Sequence, residues 1–335
     1  MNNPSWIREQ AAHLLKQRGH AWLLQGPSGL GQYPLGLALV SAWLCEAATP
    51  QGACGQCGSC HALEVLTHAD LCVLMPETVM LALGWPLAEK AQQEIDDKKR
   101  KPSREIRVDA MRDAVEFAQR TSARGRGKAV LVYPAERMNA ITANALLKTL
   151  EEPAGDVRFV LASESAHQLL PTIRSRCLGH TMQWPAPELA MAWLAEHGIS
   201  TGDAAILLKA AGGRPADALD MAQSGLDPKR WKLLPKAVAR GDVTALADWA
   251  PSQAIALLQK ICHDALAAGQ GAAPRFFDMT DLPMGASIQA LTEWALALAR
   301  SARTAEHPFN AGLMLESLVS QAQHALNSSN SHRRA

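Results

Sequence analysis

The sequence predicts an α/β fold, in which a parallel sheet wrapped by helices precedes a region that contains only helices. Over the first 180 residues, short apolar runs alternate with helical patterns, which is typical of parallel strands joined by crossover helices. A glycine-rich loop follows the first apolar run, where such folds bind phosphate. Beyond residue 184 the strand pattern stops and only helical spacing remains.

Five apolar runs predict the strands of the sheet. They are AWLLQ at 21–25, LCVLM at 71–75, AVLVY at 129–133, RFVLAS at 158–163 and LGHTMQ at 178–183. Ligands of a doubly wound parallel sheet bind at the carboxyl ends of its strands. We therefore expect any functional site of this domain just after these runs.

Composition and spacing predict three domains and a tail. The two prolines of WPAPEL indicate a linker, so the sheet domain should occupy 1–183. A small helical domain is expected over 184–225, an all-helical domain over 226–326 and a flexible tail over 327–335. The charged run at 89–107 predicts a mobile, solvated insertion, with a nucleic-acid contact as the alternative.

The overall composition excludes several classes of protein. The chain has 335 residues, of which 48% are hydrophobic and 19% charged, as in ordinary soluble proteins. Its net charge of +1 does not indicate nucleic-acid binding through bulk charge. The sequence contains no secretory signal pattern and no apolar run long enough to cross a membrane. We expect a cytoplasmic protein whose seven cysteines are thiols or metal ligands.

The loop after the first strand has the frame of a nucleotide-binding loop without its chemistry. Gly26 and Gly31 occupy the two glycine positions of G-x-x-x-x-G-K-[S/T], but Gln32 and Tyr33 replace the lysine and the hydroxyl. After the third strand, Tyr133 and Pro134 stand where a magnesium-binding acid is expected; Glu136 lies further along the chain. We predict that the chain binds no ATP, with an active ATPase that has an unusual loop as the alternative.

Four cysteines predict a structural metal site. Cys45, Cys54, Cys57 and Cys60 are spaced C-x8-C-x2-C-x2-C, and four thiolates at short spacings suit a tetrahedral Zn²⁺ without an open position. The alternative is a set of free surface thiols. The other three cysteines, Cys72, Cys177 and Cys262, are interpreted as packing residues.

Further motifs point to a family. NALLKTLEEP at 144–153 and TIRSRC at 172–177 follow the degenerate loop and the cysteine cluster in that order. The chain thus resembles bacterial clamp-loader subunits of the AAA+ class, strongly over about 1–215. AAGGRPADAL at 210–219 is similar to the second-sensor segment of the family, and HPFNAGLMLESLV at 307–319 is weakly similar to its helical end.

The resemblance implies a role for specific residues and partners. Arg176, in the Ser175–Cys177 motif, would be an arginine finger that projects into the ATP site of a neighbouring subunit; Arg174 is the competing position. Ser163 matches the first-sensor residue. The family forms a pentamer of ATPase subunits, delta and related subunits, which loads the sliding clamp on primed DNA. The helical domain at 226–326 would be the oligomerisation collar.

Three functions remain open from the sequence. The leading one is a non-hydrolysing clamp-loader subunit of the DNA polymerase III holoenzyme, a nucleotidyltransferase complex in which this chain has no catalytic activity of its own. The second is an active AAA+ ATPase. The third is a zinc-containing DNA-binding protein, although no Lys or Arg lies between Cys45 and Cys60 to contact phosphates. The neighbours in the ring, the residues that face DNA and any direct clamp contact are not predicted.

Overall fold

Five parallel strands form one sheet in the first part of the chain, as predicted. In the computed structural model, which describes residues 3–305 and 310–328, their order is β2-β3-β4-β1-β5 and every pairing is parallel. The strands are β1 (Ala21–Gln25), β2 (Leu71–Leu74), β3 (Lys128–Val132), β4 (Val157–Ser163) and β5 (Leu178–Thr181).

β1 has the predicted boundaries, and those of the other four strands differ from the predicted ones by one or two residues. β3 begins at Lys128 and ends before Tyr133, because Pro134 has no N–H for a further ladder bond. β5 ends at Thr181, two residues earlier than predicted. The N–H of Met182 still donates to Gln25 O of β1 at 2.8 Å, whereas the N–H of Gln183 donates to the side chain of Gln10.

Helices surround the sheet and make up the rest of the molecule. In the first of two compact units, Met1–Leu189, they are α1 (Ser5–Leu15), α2 (Gln32–Leu44), α3 (Gly58–Glu64), α4 (Glu77–Ala82), α5 (Glu89–Asp96), α6 (Val108–Gln119), α7 (Ala140–Glu151) and α8 (Pro171–Arg174). The chain continues with α9 (Pro187–Glu196), α10 (Thr201–Ala210), α11 (Pro215–Gln223), α12 (Pro228–Ala239), α13 (Pro251–Gly269), α14 (Ile288–Arg303) and α15 (Ala311–Leu326).

Both faces of the central strands β1, β3 and β4 are buried, which explains why these strands are largely apolar, whereas the edge strand β5 is mostly exposed. Val130 and Phe159 pack with α6 and α7 in one core. The intervening residues Leu131 and Val160 face α2 on the other side, where Gly36 allows the helix to approach closely. Alternate residues of a strand point to opposite faces, so a sheet covered on both sides needs apolar residues at every position.

The second unit, Ala190–Ala335, is helical over its described residues and contains two apolar clusters. One cluster joins α9, α10 and α11 around Leu194 and Leu207. The larger one joins α12 to α15 around Trp231, Ile261 and Trp294. The boundary at 225/226 and the collar role of the last helices stay predictions.

The C-terminal end is ordered further than expected. Asn327 and Ser328, the first two residues of the predicted tail, are both hydrogen-bonded: Asn327 Nδ2 donates to Ala239 O at 2.7 Å, and Ser328 O accepts from Ser287 N at 2.8 Å. The rest of that tail, 329–335, lies outside the described residues, as does the start of the 307–319 motif.

We predict that Gly36→Val destabilises the protein. A Cβ at this position would lie 2.8 Å from Leu131 Cδ1 and 3.2 Å from Val160 Cγ1, so α2 would have to move off the sheet. Overpacking of this kind costs roughly 1–3 kcal/mol in the free energy of unfolding, which urea titration followed by circular dichroism would measure.

Gly202→Val is the matched control, because a Cβ at this helical glycine meets no atom within 4 Å. Its unfolding midpoint should stay close to that of the unmodified protein. Equal midpoints for Gly36→Val and Gly202→Val would contradict the close packing of α2 on the sheet.

Candidate functional site

The loop at the carboxyl end of β1 keeps the shape of a phosphate cradle. It connects β1 to α2 through Gly29 and Gly31, whose φ angles are 75° and 96°. A side chain is strained in this left-handed region, and a Cβ on Gly31 would also lie 2.7 Å from Ile7 Cδ1. Gly29 and Gly31 are therefore required by the backbone geometry.

Gln32, the first residue of α2, closes this loop from within. Its side chain is 2% exposed, and its Nε2 donates to Gly26 O at 2.8 Å and to Pro27 O at 2.7 Å. A side-chain amide has two N–H donors, and both are used inside the loop. The remaining Oε1 is an acceptor and gives no attraction to a phosphate oxygen, whereas lysine would supply a positive charge.

Two aromatic side chains, one from the start of α2 and one that follows β3, lie against each other beside this loop. The rings of Tyr33 and Tyr133 are stacked, with centroids 5.3 Å apart. The hydroxyl of Tyr33 accepts from Trp85 Nε1 at 2.8 Å, and that of Tyr133 donates to Glu164 Oε1 at 2.8 Å. Burial raises the pKa of Tyr33, although the hydrogen bond from Trp85 opposes this shift. Tyr33 is therefore a neutral phenol at pH 7 and no substitute for the missing hydroxyl ligand.

The acidic groups near this site are also paired within the chain. Glu136 Oε2 accepts from Ser163 Oγ at 2.8 Å, and Glu136 Oε1 accepts from Glu164 N at 3.1 Å. Ser163, the residue that matches the first sensor, is fully buried and thus has this structural partner. These contacts join the turn after β3 to the end of β4.

The second-sensor segment is likewise paired inside its own unit. Arg214 Nε donates to Asp217 Oδ2 at 2.5 Å, within the first turn of α11, and the Arg214 side chain is only 17% exposed. This contact neutralises the cation of the segment.

The four predicted cysteines come together in one cluster. Their sulfurs all lie within 4.8 Å of one another, and three of the pairs are 3.7, 3.8 and 3.9 Å apart. Sulfurs bound to one tetrahedral ion at 2.3 Å would be about 3.8 Å apart, whereas a disulfide bond is near 2.05 Å. The cluster therefore has the donor set and spacing to hold a metal ion.

The thiols of the cluster differ in their acidity. Burial would raise the pKa of Cys57, but hydrogen bonds from the N–H groups of Cys60 and Glu46 bring it down to about 6. Burial, reinforced by the neighbouring thiols, raises the pKa of Cys60 to about 12. Four thiolates at this distance repel one another, so a cation is needed to hold them all in the charged form.

The cysteine cluster is tied to the sheet domain by Glu46. Its Oε1 accepts from Ser59 N at 3.1 Å, from Ser59 Oγ at 3.0 Å and from Arg124 Nη1 at 3.1 Å. Arg124 belongs to the loop that precedes β3, so the ion pair joins the module at 45–60 to the sheet.

The remaining cysteines pack as predicted. Cys262 is 2% exposed in the core of α12–α15, and Cys72 and Cys177 pack against the core of the sheet domain.

Arg176 lies at the protein surface after α8, on the way to β5. Its Nε donates to Glu151 Oε1 at 2.6 Å, its Nη2 donates to the same oxygen, and its Nη1 donates to Thr172 O at 2.8 Å. The Arg176 side chain is 30% exposed. By contrast, the side chain of the competing Arg174 makes no hydrogen bond or ion pair within 3–305 and 310–328. The guanidinium of Arg176 is thus both accessible and oriented.

The charged insertion is solvated but anchored along part of its length. α5 buries no residue, in agreement with the predicted solvation. Arg100, however, bonds to Glu94 at 2.8 Å and to Glu77 through both Nη atoms. The hydrogen bond from Arg100 lowers the pKa of Glu77, which is largely buried.

Three contact residues of these sites were missed from the sequence. They are Trp85, Glu151 and Arg100. Trp85 lies in the apolar stretch LALGWPLA at 81–88, which is a weak signal of burial. Glu151 lies within the 144–153 motif, but nothing in the sequence indicates that α7 ends beside α8.

Known proteins resemble the chain over most of its length. Residues 7–185 match the family model described as DNA polymerase III, delta subunit. A DNA polymerase III subunit delta' of Pseudomonas aeruginosa is 32% identical over 325 residues, which cover 91% of this chain and 92% of that protein. The DNA polymerase III subunit tau of Salmonella typhimurium is 32% identical over 159 residues, 48% of this chain and 21% of that protein.

The chain also resembles a solved structure at low sequence identity. A DNA polymerase III gamma subunit-related protein of Thermotoga maritima aligns at a TM-score of 0.47 and 16% identity, covering 96% of this chain and 99% of that one. Among the described residues, no helix combines the length and the apolar character that crossing a bilayer requires.

Proposed function

Since the chain belongs to the family of DNA polymerase III delta' subunits, we propose that it is a clamp-loader subunit that neither binds nor hydrolyses ATP itself. The observation that carries the proposal is the closed loop, in which Gln32 uses both of its N–H donors on Gly26 and Pro27. In place of a nucleotide, the site holds the stacked rings of Tyr33 and Tyr133.

Arg176 acts on a nucleotide bound by another chain. A guanidinium is charged at any physiological pH, and its planar fork matches the oxygens of a phosphate. The surface position after α8 makes it available to a neighbour, and its own domain has no catalytic lysine to complete an ATPase site. The partners are thus the ATPase subunits and delta in a pentamer in the cytoplasm, which loads the sliding clamp on primed DNA.

The cysteine cluster holds one structural Zn²⁺. Four thiolates fill the coordination sphere, so the ion has no position for a substrate and contributes to folding. The helical region after 184 supports the assembly, with 184–225 as a small domain and 226–326 as the collar.

We predict that the isolated chain shows no magnesium-dependent ATP hydrolysis and no tight ATP binding. Calorimetric titration with Mg-ATP and a phosphate-release assay would measure both. Gln32→Lys alone should not create activity, because it returns the cation but not the magnesium acid displaced by Tyr133. Turnover that disappears on substitution of Gly31 would instead favour the active ATPase.

We predict one zinc per chain, held by all four sulfurs. Cys57→Ala should lose the metal and destabilise the module at 45–60, because metal binding is coupled to local folding. Elemental analysis of the purified protein measures the stoichiometry. Cys72→Ala is the matched control and should keep the zinc; a metal-free protein or disulfides among the four cysteines would contradict the site.

We predict that Arg176→Ala lowers DNA-stimulated ATPase and clamp loading in the reconstituted complex without disrupting the fold or the pentamer. An arginine finger accelerates ATP hydrolysis by roughly 10³- to 10⁵-fold at the site it serves. The total ATPase rate of the complex should therefore fall by the fraction that this one site contributes. Arg176→Lys should rescue only in part, because lysine lacks the fork.

Arg174→Ala is the matched control for this variant, since it removes an exposed arginine two residues away. It should leave both rates unchanged. A normal ATPase and loading rate for Arg176→Ala would mean that Arg176 is no finger.

A further inference from the structure

The guanidinium of Arg176 is held along one edge by the last residue of α7. Glu151 Oε1 accepts from Nε at 2.6 Å and also from Nη2. On another side, Nη1 donates to Thr172 O at 2.8 Å. Two fixed acceptors, one on α7 and one on α8, therefore set both the position and the plane of the guanidinium.

These contacts leave part of the group free for an outside acceptor. Arginine has five N–H donors, of which the contacts to Glu151 and Thr172 use three. One of the two remaining N–H groups is on Nη2. The second is on Nη1 and makes only a long hydrogen bond to Ser175 Oγ, at 3.4 Å.

We propose that Glu151 is a positioning residue for Arg176: it fixes the Nε edge of the guanidinium so that the remaining donors face a phosphate on the neighbouring subunit. The inference rests on the proposed role of Arg176 as a finger in trans. An arginine that is oriented before the subunits meet loses less side-chain entropy when it binds.

The pair is not needed to hold the two helices together. Leu146 and Leu150 of α7 and Ile173 of α8 are buried in one apolar core, which packs these elements without the ion pair. The side chains of Arg176 and Glu151 are 30% and 47% exposed, and ion pairs at such sites contribute little to stability. Substitution of Glu151 should therefore change the behaviour of Arg176 and not the fold.

The same exposure limits the size of the effect. Exposed ion pairs have interaction energies that correspond to about 1.5- to 5-fold in an equilibrium or a rate. Glu151→Ala should lower the DNA-stimulated kcat of the reconstituted loader by about 1.5- to 5-fold and leave the KM for ATP unchanged, because the nucleotide is bound by another chain. Glu151→Gln should keep more of the rate, since it retains the acceptor oxygen.

Glu152→Ala is the matched control. Glu152 is the adjacent exposed glutamate, and its side chain has no hydrogen bond or ion pair with the described part of the chain. Glu152→Ala removes the same charge from nearly the same place as Glu151→Ala. A general electrostatic effect would therefore lower the rate in both variants, whereas a positioning effect would lower it only in Glu151→Ala. Melting temperatures of the free subunits would show that all variants are folded.

A double-mutant cycle with Arg176→Ala separates positioning from any independent role. If Glu151 acts through Arg176, the double variant should have the kcat of Arg176→Ala alone. An additional loss in the double variant would overturn the inference, as would a Glu151→Ala rate that equals or exceeds that of the unmodified complex.

The two hypotheses fail in different ways. A normal rate for Arg176→Ala would refute the finger itself and the positioning role with it. A reduced rate for Arg176→Ala with an unchanged rate for Glu151→Ala would refute only the positioning role.

Discussion

The hydrogen bonds from Gln32 to the carbonyls of Gly26 and Pro27 are the constraint on which the carboxyl edge of the sheet depends. A phosphate cradle is built from exposed backbone groups, and such groups are costly when they are buried without partners. The amide of Gln32 supplies partners from inside the loop. From the same helical turn, Tyr33 stacks on Tyr133, and Tyr133 in turn bonds Glu164 at the end of β4. The ends of β1, β3 and β4 are thus joined by side chains of the protein.

This arrangement has a consequence for Arg176 under the proposed function. In a nucleotide-dependent domain, the geometry at the carboxyl edge changes with the bound ligand. Here the loop after β1 is closed by Gln32 and the tyrosine rings, and the chain runs from the end of β4 to α8. Glu151 and Thr172 hold Arg176 next to α8. A residue that serves a neighbour is most useful when its position does not depend on the state of its own domain. Loss of the nucleotide chemistry and retention of an oriented arginine are therefore physically compatible.

Much of the architecture could be predicted from the sequence, because it follows from local patterns. The apolar runs identified all five strands. The central strands β1, β3 and β4 are buried on both faces and so need nearly continuous apolar residues, whereas the edge strand β5 is mostly exposed. The cysteine spacing identified the cluster because its four cysteines lie within a segment of 16 residues. The contacts that complete the sites were not predictable in this way. Trp85 meets Tyr33 across 52 positions, and Glu151 meets Arg176 across 25, and neither separation follows a helical or strand period. Asn327 and Ser328 were assigned to the tail by composition, although tertiary hydrogen bonds hold them.

The surroundings of the cysteine cluster weigh against a DNA-binding role for it. The basic segment 120–128 lies nearby, but most of its charges are already satisfied within the domain. Arg120 pairs with Glu116 at 3.5 Å, Arg124 pairs with Glu46, and Lys128 is buried with its Nζ 3.8 Å from the centre of the Phe117 ring. Only Arg126 of the four has no partner among the described residues. Nonspecific DNA binding depends on several phosphate contacts at once. One uncompensated cation is too few, and the cysteine cluster beside it contains no Lys or Arg. The charges at this end of the sheet join the cysteine module to the domain, which is consistent with a structural metal.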